Sequence, residues 1–345
     1  MSEAWAQFVF LLIKAVAMPL LIVLIVAFTI YFERKFAGFF QGRVGPTYLG
    51  PWGSLQSFGD VLKLLSKEDV IPERADKHVF KLAPYVAFLP AFLVLAVLPF
   101  GPVQSKVTAA PELFGHRFDY VIASFDSGLV LFLAMGALAF YGIVLAGWSS
   151  NSNYSLLGGL RAGAQMVSYE LAMGFAVVGV MLMAGSLSLV DIVDAQAGNF
   201  WDWFFIPQIV GGIVFFIATI AELNRTPFDL AEAEQELVAG HLTEYSGMRW
   251  GMFYLAEYVN LVGVGAIVST LYLGGWRAPL EVLDFIPGPV WLFLKIIFLM
   301  FIYMWIRWTI FRYRYNQLMA IGWKVLLPIS LANLVVTAIV VSLVG

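Results

Sequence analysis

Acidic side chains cluster between two long apolar stretches, in the segment Ala221–Gly247. Carboxylates beside a bilayer are costly to keep there, and they usually mark an ion pathway or a substrate site. The segment contains Arg225, and Arg249 follows just beyond it. Its carboxylates are Glu222, Asp229, Glu232, Glu234, Glu236 and Glu244. This composition predicts proton transfer or ligand binding at the edge of a membrane.

The spacing of three of these acids favours one face of a helix. Asp229, Glu232 and Glu236 lie at positions i, i+3 and i+7, which share a side of an α-helix. Pro227 suits the first helical position, so the spacing predicts a helix that begins there. A capped, solvated acidic helix would also account for the pattern, because acids suit the first turns of a helix. The position of Glu222 at the very end of an apolar stretch favours a proton pathway instead.

Two further acids lie within apolar stretches, Glu170 in SYELAMGF and Glu257 in LAEYVN. An ionised carboxylate at mid-membrane costs roughly 2.5–3.5 kcal/mol on insertion scales. Burial disfavours the charged form, so such a side chain can exchange a proton near neutral pH. The alternative for Glu170 is a structural carboxylate held by a neighbour such as Arg161. Lys295 lies near the end of its apolar stretch and is expected to extend its amine toward water.

The first apolar stretch ends in a charged run that begins at Glu33. One interpretation is a stop signal that keeps basic residues on the cytoplasmic side. The other is a charged cavity in which Arg34 or Arg43 faces Asp60 and Lys63. Composition alone leaves these two interpretations evenly balanced.

The composition indicates a membrane protein with several spans. The 345 residues are 61% hydrophobic and 12% charged, whereas soluble domains carry roughly 25% charged residues. The net charge of −3, with no dense basic run, argues against nucleic acid as a partner. The chain has no cysteine, which excludes thiolate-bound iron–sulfur clusters and zinc sites. Any redox centres that it serves are expected on other chains.

Eight apolar stretches approach the roughly 20 residues that a spanning helix needs. Unbroken apolar runs favour helices over a barrel, so the sequence predicts an all-α polytopic membrane protein in one integral domain, residues 1–345. The stretches are Phe8–Phe32, Leu82–Phe100, Gly128–Trp148, Ala162–Ala184, Pro207–Ala221, Met252–Leu273, Val290–Trp308 and Val325–Val344.

Lysine and arginine are distributed unevenly between the connecting loops. The odd-numbered loops hold 15 of them and the even-numbered loops hold 3. The positive-inside rule therefore predicts that the odd loops are cytoplasmic and that both termini lie outside. The first odd loop contains a stretch, Ser54–Ser66, with apolar residues at helical spacing, which predicts an interfacial amphipathic helix. The glycine- and proline-rich run before it, Arg43–Gly53, predicts a tight turn.

Four long motifs, in this order, resemble one family of respiratory complex I, the H subunits that form the quinone-site membrane part of NADH–quinone oxidoreductase. They are ERKFAGFFQGRVGPTYLGPWGSLQSFGDVLKLLSKED (Glu33–Asp69), GWSSNSNYSLLGGLRAGAQMVSYE (Gly147–Glu170), AELNRTPFDLAEAEQELVAGHLTEYSG (Ala221–Gly247) and RYRYNQLMAIGWKVLLP (Arg312–Pro328). The chain departs from the family at Asn316, usually aspartate, and at Ala139, where some members carry glutamate.

The resemblance implies two sets of site residues. One is a chain of buried carboxylates that links a quinone chamber to proton-pumping subunits. The matching positions are Glu170, Glu222, Asp229, Glu232, Glu234, Glu236 and Glu257. The other is a set of residues along the quinone route. The matching positions are Glu33, Arg34, Arg43, Asp60, Lys63, Arg225, Phe228, Arg312 and Arg314.

The resemblance further implies a bacterial inner-membrane protein that acts on ubiquinone or menaquinone. Its expected partners are the peripheral-arm and membrane-arm subunits of complex I, with NAD and iron–sulfur clusters on those subunits and no metal or flavin on this chain. Two alternatives remain. One is the equivalent subunit of a ferredoxin-dependent reductase or membrane-bound hydrogenase, and the other is a stand-alone cation transporter, which the absence of an internal repeat disfavours.

Overall fold

The computed structural model describes residues 3–103, 112–113, 116–117, 119–231 and 234–344. The chain forms a bundle of helices with one antiparallel pair of two-residue strands, β1 (Glu112–Leu113) and β2 (His116–Arg117). The helices are α1 (Glu3–Phe40), α2 (Gln56–Ser66), α3 (Lys77–Val97), α4 (Gly128–Ser149), α5 (Asn153–Ala184), α6 (Leu189–Ala195), α7 (Ile209–Glu222), α8 (Glu234–Leu237), α9 (Gly247–Tyr272), α10 (Gly288–Thr309), α11 (Tyr315–Ala320) and α12 (Leu327–Val344).

Seven helical segments of the described chain are long and apolar enough to cross a membrane. They are α1, α3, α4, α5, α9, α10 and the continuous stretch Tyr315–Leu343, in which a π-helical turn (Ile321–Leu326) joins α11 to α12. The remaining predicted span, Pro207–Ala221, corresponds to α7, which has only 14 residues. The expected all-α polytopic membrane fold is confirmed.

Helix α9 lies at the centre of the bundle. From Tyr258 to Tyr272 every residue except Asn260 is buried. A helix that is apolar on all sides is found in a protein core or within a membrane, and α9 has other helices around it. Helices α1 and α12 lie at the periphery, where most of their apolar side chains remain exposed to serve as a lipid-facing surface.

Several helices extend beyond their apolar stretches. Helix α1 continues to Phe40, and α5 begins at Asn153, nine residues before the predicted span. The apolar stretch ends at the first charged residue, but the backbone has no reason to leave the helix there. Glu33 lies within α1 and finds its partners inside the bundle, so a charge does not mark the end of that helix.

The odd-numbered loops meet at one end of the bundle. The amide of Asp76 donates to the carbonyl of Ser149 at 3.1 Å, and the amide of Val70 donates to the hydroxyl of Ser246 at 3.0 Å. These bonds join the first, third and fifth loops, as the charge distribution predicts. Their placement in the cytoplasm stays a prediction.

The predicted amphipathic helix in the first loop is present as α2. It packs on α1 through a polar side chain, because the Ser57 hydroxyl donates to the carbonyl of Ala27 at 2.7 Å. Its apolar side chains, among them Phe58, Leu62 and Leu65, remain exposed. This arrangement suits a helix that lies at the membrane interface.

The helix predicted to begin at Pro227 is wrong. Helix α7 ends at Glu222, and turns replace helix from residue 223 to residue 231. The cause is Gln165 of α5, whose amide nitrogen donates to the carbonyls of Ala221 and Phe228, each at 2.7 Å. Because these two carbonyls are paired with Gln165, they do not need helical hydrogen bonds. Asp229 therefore lies in a turn and does not share a helix face with Glu236.

Lys295 does not extend its amine into water, contrary to the prediction. Its ammonium group donates to the carbonyls of Leu273, Gly275 and Arg277 at 2.6–2.9 Å. It also lies 4.2 Å from the ring centroid of Trp203. Lys295 therefore satisfies the carbonyls that follow the end of α9, where a cation is favoured by the helix dipole.

Candidate functional site

Four charged side chains from four segments form a cluster, which we call the central cluster: the buried Glu33 and Arg225 and the half-buried Glu257 and Arg307. Nη1 of Arg225 lies 3.1 Å from Oε2 of Glu33, and its Nε lies 2.6 Å from Oε1 of Glu257. Nη1 of Arg307 contacts the other oxygen of Glu33. The cluster joins α1, α9, α10 and the turn after α7, and it contains two positive and two negative charges.

Arg225 is the buried centre of this cluster. Burial by itself would lower its pKa, but the carboxylates of Glu33 and Glu257 outweigh burial and raise the pKa well above its ordinary value. The guanidinium carbon also lies 4.4 Å from the ring centroid of Tyr258. Arg225 therefore stays charged, and any change of charge nearby must act on its carboxylate partners.

A cavity of about 490 Å³ opens beside the central cluster, and we call it the large cavity. Its volume falls within the range of roughly 300–1,000 Å³ typical of small-molecule sites. Acidic, basic and aromatic side chains line it together. The lining residues are Glu33, Arg34, Ala37, Arg43, Pro46, Gln56, Tyr254, Tyr258, Arg307 and Trp308.

Two tyrosines of α9 face this cavity, and the sequence reasoning missed them. The hydroxyls of Tyr254 and Tyr258 lie 3.1 Å apart. Near them, Nη1 of Arg34 lies 2.5 Å from Oδ2 of Asp60, so one pair of the charged-cavity interpretation is present, but Lys63 does not line this cavity. Tyr254 and Tyr258 are four residues apart, with Glu257 between them in the chain, so both lie on one face of α9. This spacing is a signal from which the sequence could have identified them.

A second, much smaller cavity lies deeper between α5 and α7, and we call it the small cavity. Its lining includes Glu170, Glu222, Tyr169 and Ala218. The volume of about 10 Å³ is close to the minimum that holds one water molecule. Oε2 of Glu222 is inaccessible to solvent and has no hydrogen-bond partner among the described residues. The structure thus brings two of the predicted relay carboxylates to one space.

Phe228 and Asp229 hold the turn after α7 against the last helices. The buried Phe228 ring lies between Tyr169, at 5.2 Å, and Tyr313, at 5.8 Å between ring centroids. Arg312 donates to the carbonyl of Asp229, and its Nη2 lies 3.4 Å from the Asp229 carboxylate. Phe228 does not line the large cavity, so its contribution is to fix the turn that carries Arg225.

The remaining predicted site residues lie at the margins. Glu236 is exposed and pairs with Arg161, with 2.5 Å between Oε2 and Nη1. Lys63 and Arg314 are exposed and line neither cavity. Glu232 and the side chain of Glu234 lie outside the described residues.

Comparisons with known proteins identify the family of the chain. The family model described as NADH dehydrogenase matches residues 13–338. The chain is 49% identical to the NADH-quinone oxidoreductase H subunit numbered 1 of Geobacter sulfurreducens, over 96% of this chain and 94% of that protein. It is 48% identical to the NADH-quinone oxidoreductase H subunit numbered 2 of Geobacter metallireducens, over 98% and 97% of the two chains.

A third relative comes from Brevibacillus brevis. The H subunit of its NADH-quinone oxidoreductase is 48% identical, over 99% of this chain and 96% of that protein. Matches at this level over nearly the whole length agree with the predicted family and with a multi-pass membrane protein. The chain therefore belongs to the NADH dehydrogenase family, among the H subunits of NADH-quinone oxidoreductases.

Proposed function

We propose that this chain forms the quinone-binding chamber of a proton-translocating NADH–quinone oxidoreductase, together with the peripheral-arm subunits. In this proposal the large cavity takes the quinone head group. The buried carboxylates then relay the redox change to proton-pumping subunits of the membrane arm. The observation that carries the proposal is the contact between a ligand-sized cavity and the central cluster, through Glu33 and Arg307.

The chemistry of a quinone suits this lining. Its two carbonyl oxygens need hydrogen-bond donors, and the cavity offers the hydroxyls of Tyr254 and Tyr258 and the guanidinium groups of Arg34 and Arg307. Aromatic side chains at the same surface, such as Trp308, suit the flat apolar ring. Reduction adds two electrons and two protons to the quinone, so charge develops beside Glu33 until the protons arrive.

The central cluster is suited to respond to that charge. A unit charge about 6 Å from the Glu33 carboxylate changes its energy by about 3 kcal/mol at an effective dielectric constant of about 20. Moving one proton against 100 mV needs about 2.3 kcal/mol. The two energies are similar, so a redox change in the large cavity can drive a proton shift at Glu257, Glu222 or Glu170.

The test is quinone reduction by the assembled complex in membranes, with Asp229→Asn as the variant. Asp229 holds Arg312 against the turn that carries Arg225. We expect quinone reduction with NADH to fall at least tenfold, while NADH oxidation by an artificial peripheral-arm acceptor stays unchanged. Glu244→Gln is the matched control, because Glu244 belongs to the same acidic segment but, unlike Asp229, forms no ion pair with an arginine of the described residues.

The outcomes separate the candidate functions. Full quinone reduction and full proton pumping in Asp229→Asn, Glu170→Gln and Glu222→Gln would refute the proposed relay. A wild-type complex that oxidises no NADH but accepts electrons from reduced ferredoxin would assign the chain to a ferredoxin-dependent complex instead.

A further inference from the structure

Helix α4 has a glycine, Gly136, at the point where it passes the carboxylate of Glu222. A Cβ atom built on Gly136 would lie 2.6 Å from Oε1 of Glu222 and 3.8 Å from its carboxyl carbon. No other side chain or loop atom of the described chain comes within 4 Å of that position. The carboxylate of Glu222 therefore occupies the space that any other amino acid at position 136 would fill.

At least one oxygen of the Glu222 carboxylate is not held in place by a hydrogen bond from a described residue. Its Oε2 is buried and makes no hydrogen bond within the part of the chain that the structure describes. Burying a polar oxygen without a hydrogen-bond partner costs free energy. The location of this oxygen is therefore set by the space around it and not by a hydrogen bond. Glu222 is also the last residue of α7, and the atom that faces Gly136 lies at the far end of its side chain.

We propose that Gly136 is a positioning residue for the carboxylate relay: without a side chain of its own, it keeps the Glu222 carboxylate in the small cavity beside Glu170. A methyl group at position 136 pushes the carboxylate away from α4. One water molecule then no longer reaches both carboxylates, which a proton transfer between them requires. This inference rests on the proposed role of Glu222 in the relay.

A side chain at position 136 would clash with the flexible side chain of Glu222, so a substitution there can test the proposal. The atom that a Cβ would meet is the far end of a glutamate side chain and not backbone, so α4 can keep its path. Alanine is also the better helix former, by about 1 kcal/mol. Gly136→Ala should therefore leave the complex assembled and change the relay.

The experiment compares two glycine-to-alanine variants of the complete complex in liposomes. In Gly136→Ala we expect the rate of proton pumping coupled to NADH–quinone reduction to fall about tenfold, with an altered pH profile and unchanged NADH oxidation by an artificial acceptor. Gly174→Ala on α5 is the matched control, because a Cβ there meets nothing within 4 Å. It should behave as the wild type does.

A shortened acid tests the clash. Glu222→Asp removes one methylene group and withdraws the carboxylate from α4, so adding Gly136→Ala to Glu222→Asp should leave pumping at the level of Glu222→Asp alone, and a further tenfold loss would overturn the clash with this carboxylate. If Gly136→Ala does not assemble, restored assembly in the double variant supports the clash with this carboxylate, and no restoration overturns it.

The outcomes also separate this inference from the proposed function. If Glu222→Gln abolishes pumping while Gly136→Ala behaves like Gly174→Ala, the positioning role fails and the relay stands. If Glu222→Gln pumps normally, the role of Glu222 in the relay fails, and the positioning role falls with it.

Discussion

Replacing Glu33 with glutamine tests the charge balance of the central cluster. The change removes one of two carboxylates and leaves Arg225 and Arg307 with Glu257 alone. Glu33 and Arg225 are both only 4% exposed, so solvent cannot compensate for the lost charge. The variant therefore has two guanidinium groups and one carboxylate in the cluster, so one positive charge is not neutralised.

The size of the effect follows from the geometry. At 3.1 Å between Nη1 and Oε2, the attraction of Glu33 to Arg225 is about 5 kcal/mol at an effective dielectric constant of about 20. Removing the carboxylate also removes its own desolvation penalty, which is several kcal/mol. Breaking a buried pair on one side costs about 3–5 kcal/mol, and glutamine keeps one acceptor oxygen. We therefore expect a loss of about 3 kcal/mol.

Hydrogen exchange of the assembled complex in lipid measures this loss. Because each 1.4 kcal/mol is a factor of ten, amides in residues 220–231 should exchange about 100-fold faster in Glu33→Gln, and quinone reduction should fall with them. The double variant Glu33→Gln with Arg307→Gln restores neutrality and should recover most of the protection but not the activity. Wild-type exchange in Glu33→Gln, or a double variant less protected than the single one, would refute the reasoning.

Two further predictions concern residues outside both cavities. Burial lowers the pKa of His241 to about 4, although a hydrogen bond to the carbonyl of Ala231 acts in the opposite direction. The neutral His241 therefore contributes fully to stability above pH ~6.5. This contribution declines by about 3 kcal/mol as the pH falls toward 4, because the unfolded chain binds the proton more tightly. Thermal unfolding between pH 7 and 4.5 should show this decline in the wild type but not in His241→Gln, and parallel curves would contradict it. Lys295→Met deprives three carbonyls of their donor, so amides in residues 273–278 should lose about 2 kcal/mol of protection. Lys295→Arg should lose less, and equal losses in the two variants would rule out the proposed cap.

Local composition was enough to predict the architecture. The bilayer excludes unpaired backbone groups, so each long apolar stretch must be a helix, and the seven long spans and the short α7 follow from counting. The amphipathic spacing of Ser54–Ser66 similarly predicted α2. Hydrogen bonds show that the first, third and fifth loops meet at one end, whereas the cytoplasmic side that the basic residues predict for this end stays a prediction.

The same local reasoning failed at the turn after α7. Considered by itself, Pro227 suits the first position of a helix. Gln165 instead donates a hydrogen bond to the carbonyl of Phe228, 63 residues later in the chain, and stabilises the turn. The sequence analysis likewise did not identify Tyr254 and Tyr258 as site residues. Tyrosines near helix ends are common, and their spacing does not reveal which cavity they face.

The sequence by itself determined that this chain is a helical membrane protein with costly carboxylates, because the cost of a charge in lipid depends on its immediate neighbours along the chain. Only the tertiary structure decided which charges meet. Glu33 and Arg225 are 192 positions apart, and their pairing depends on how α1 packs beside the turn after α7. The space that Gly136 leaves for Glu222 depends in the same way on how closely two helices approach. Packing distances of this kind arise from all contacts of the bundle together, and no single stretch of sequence contains them.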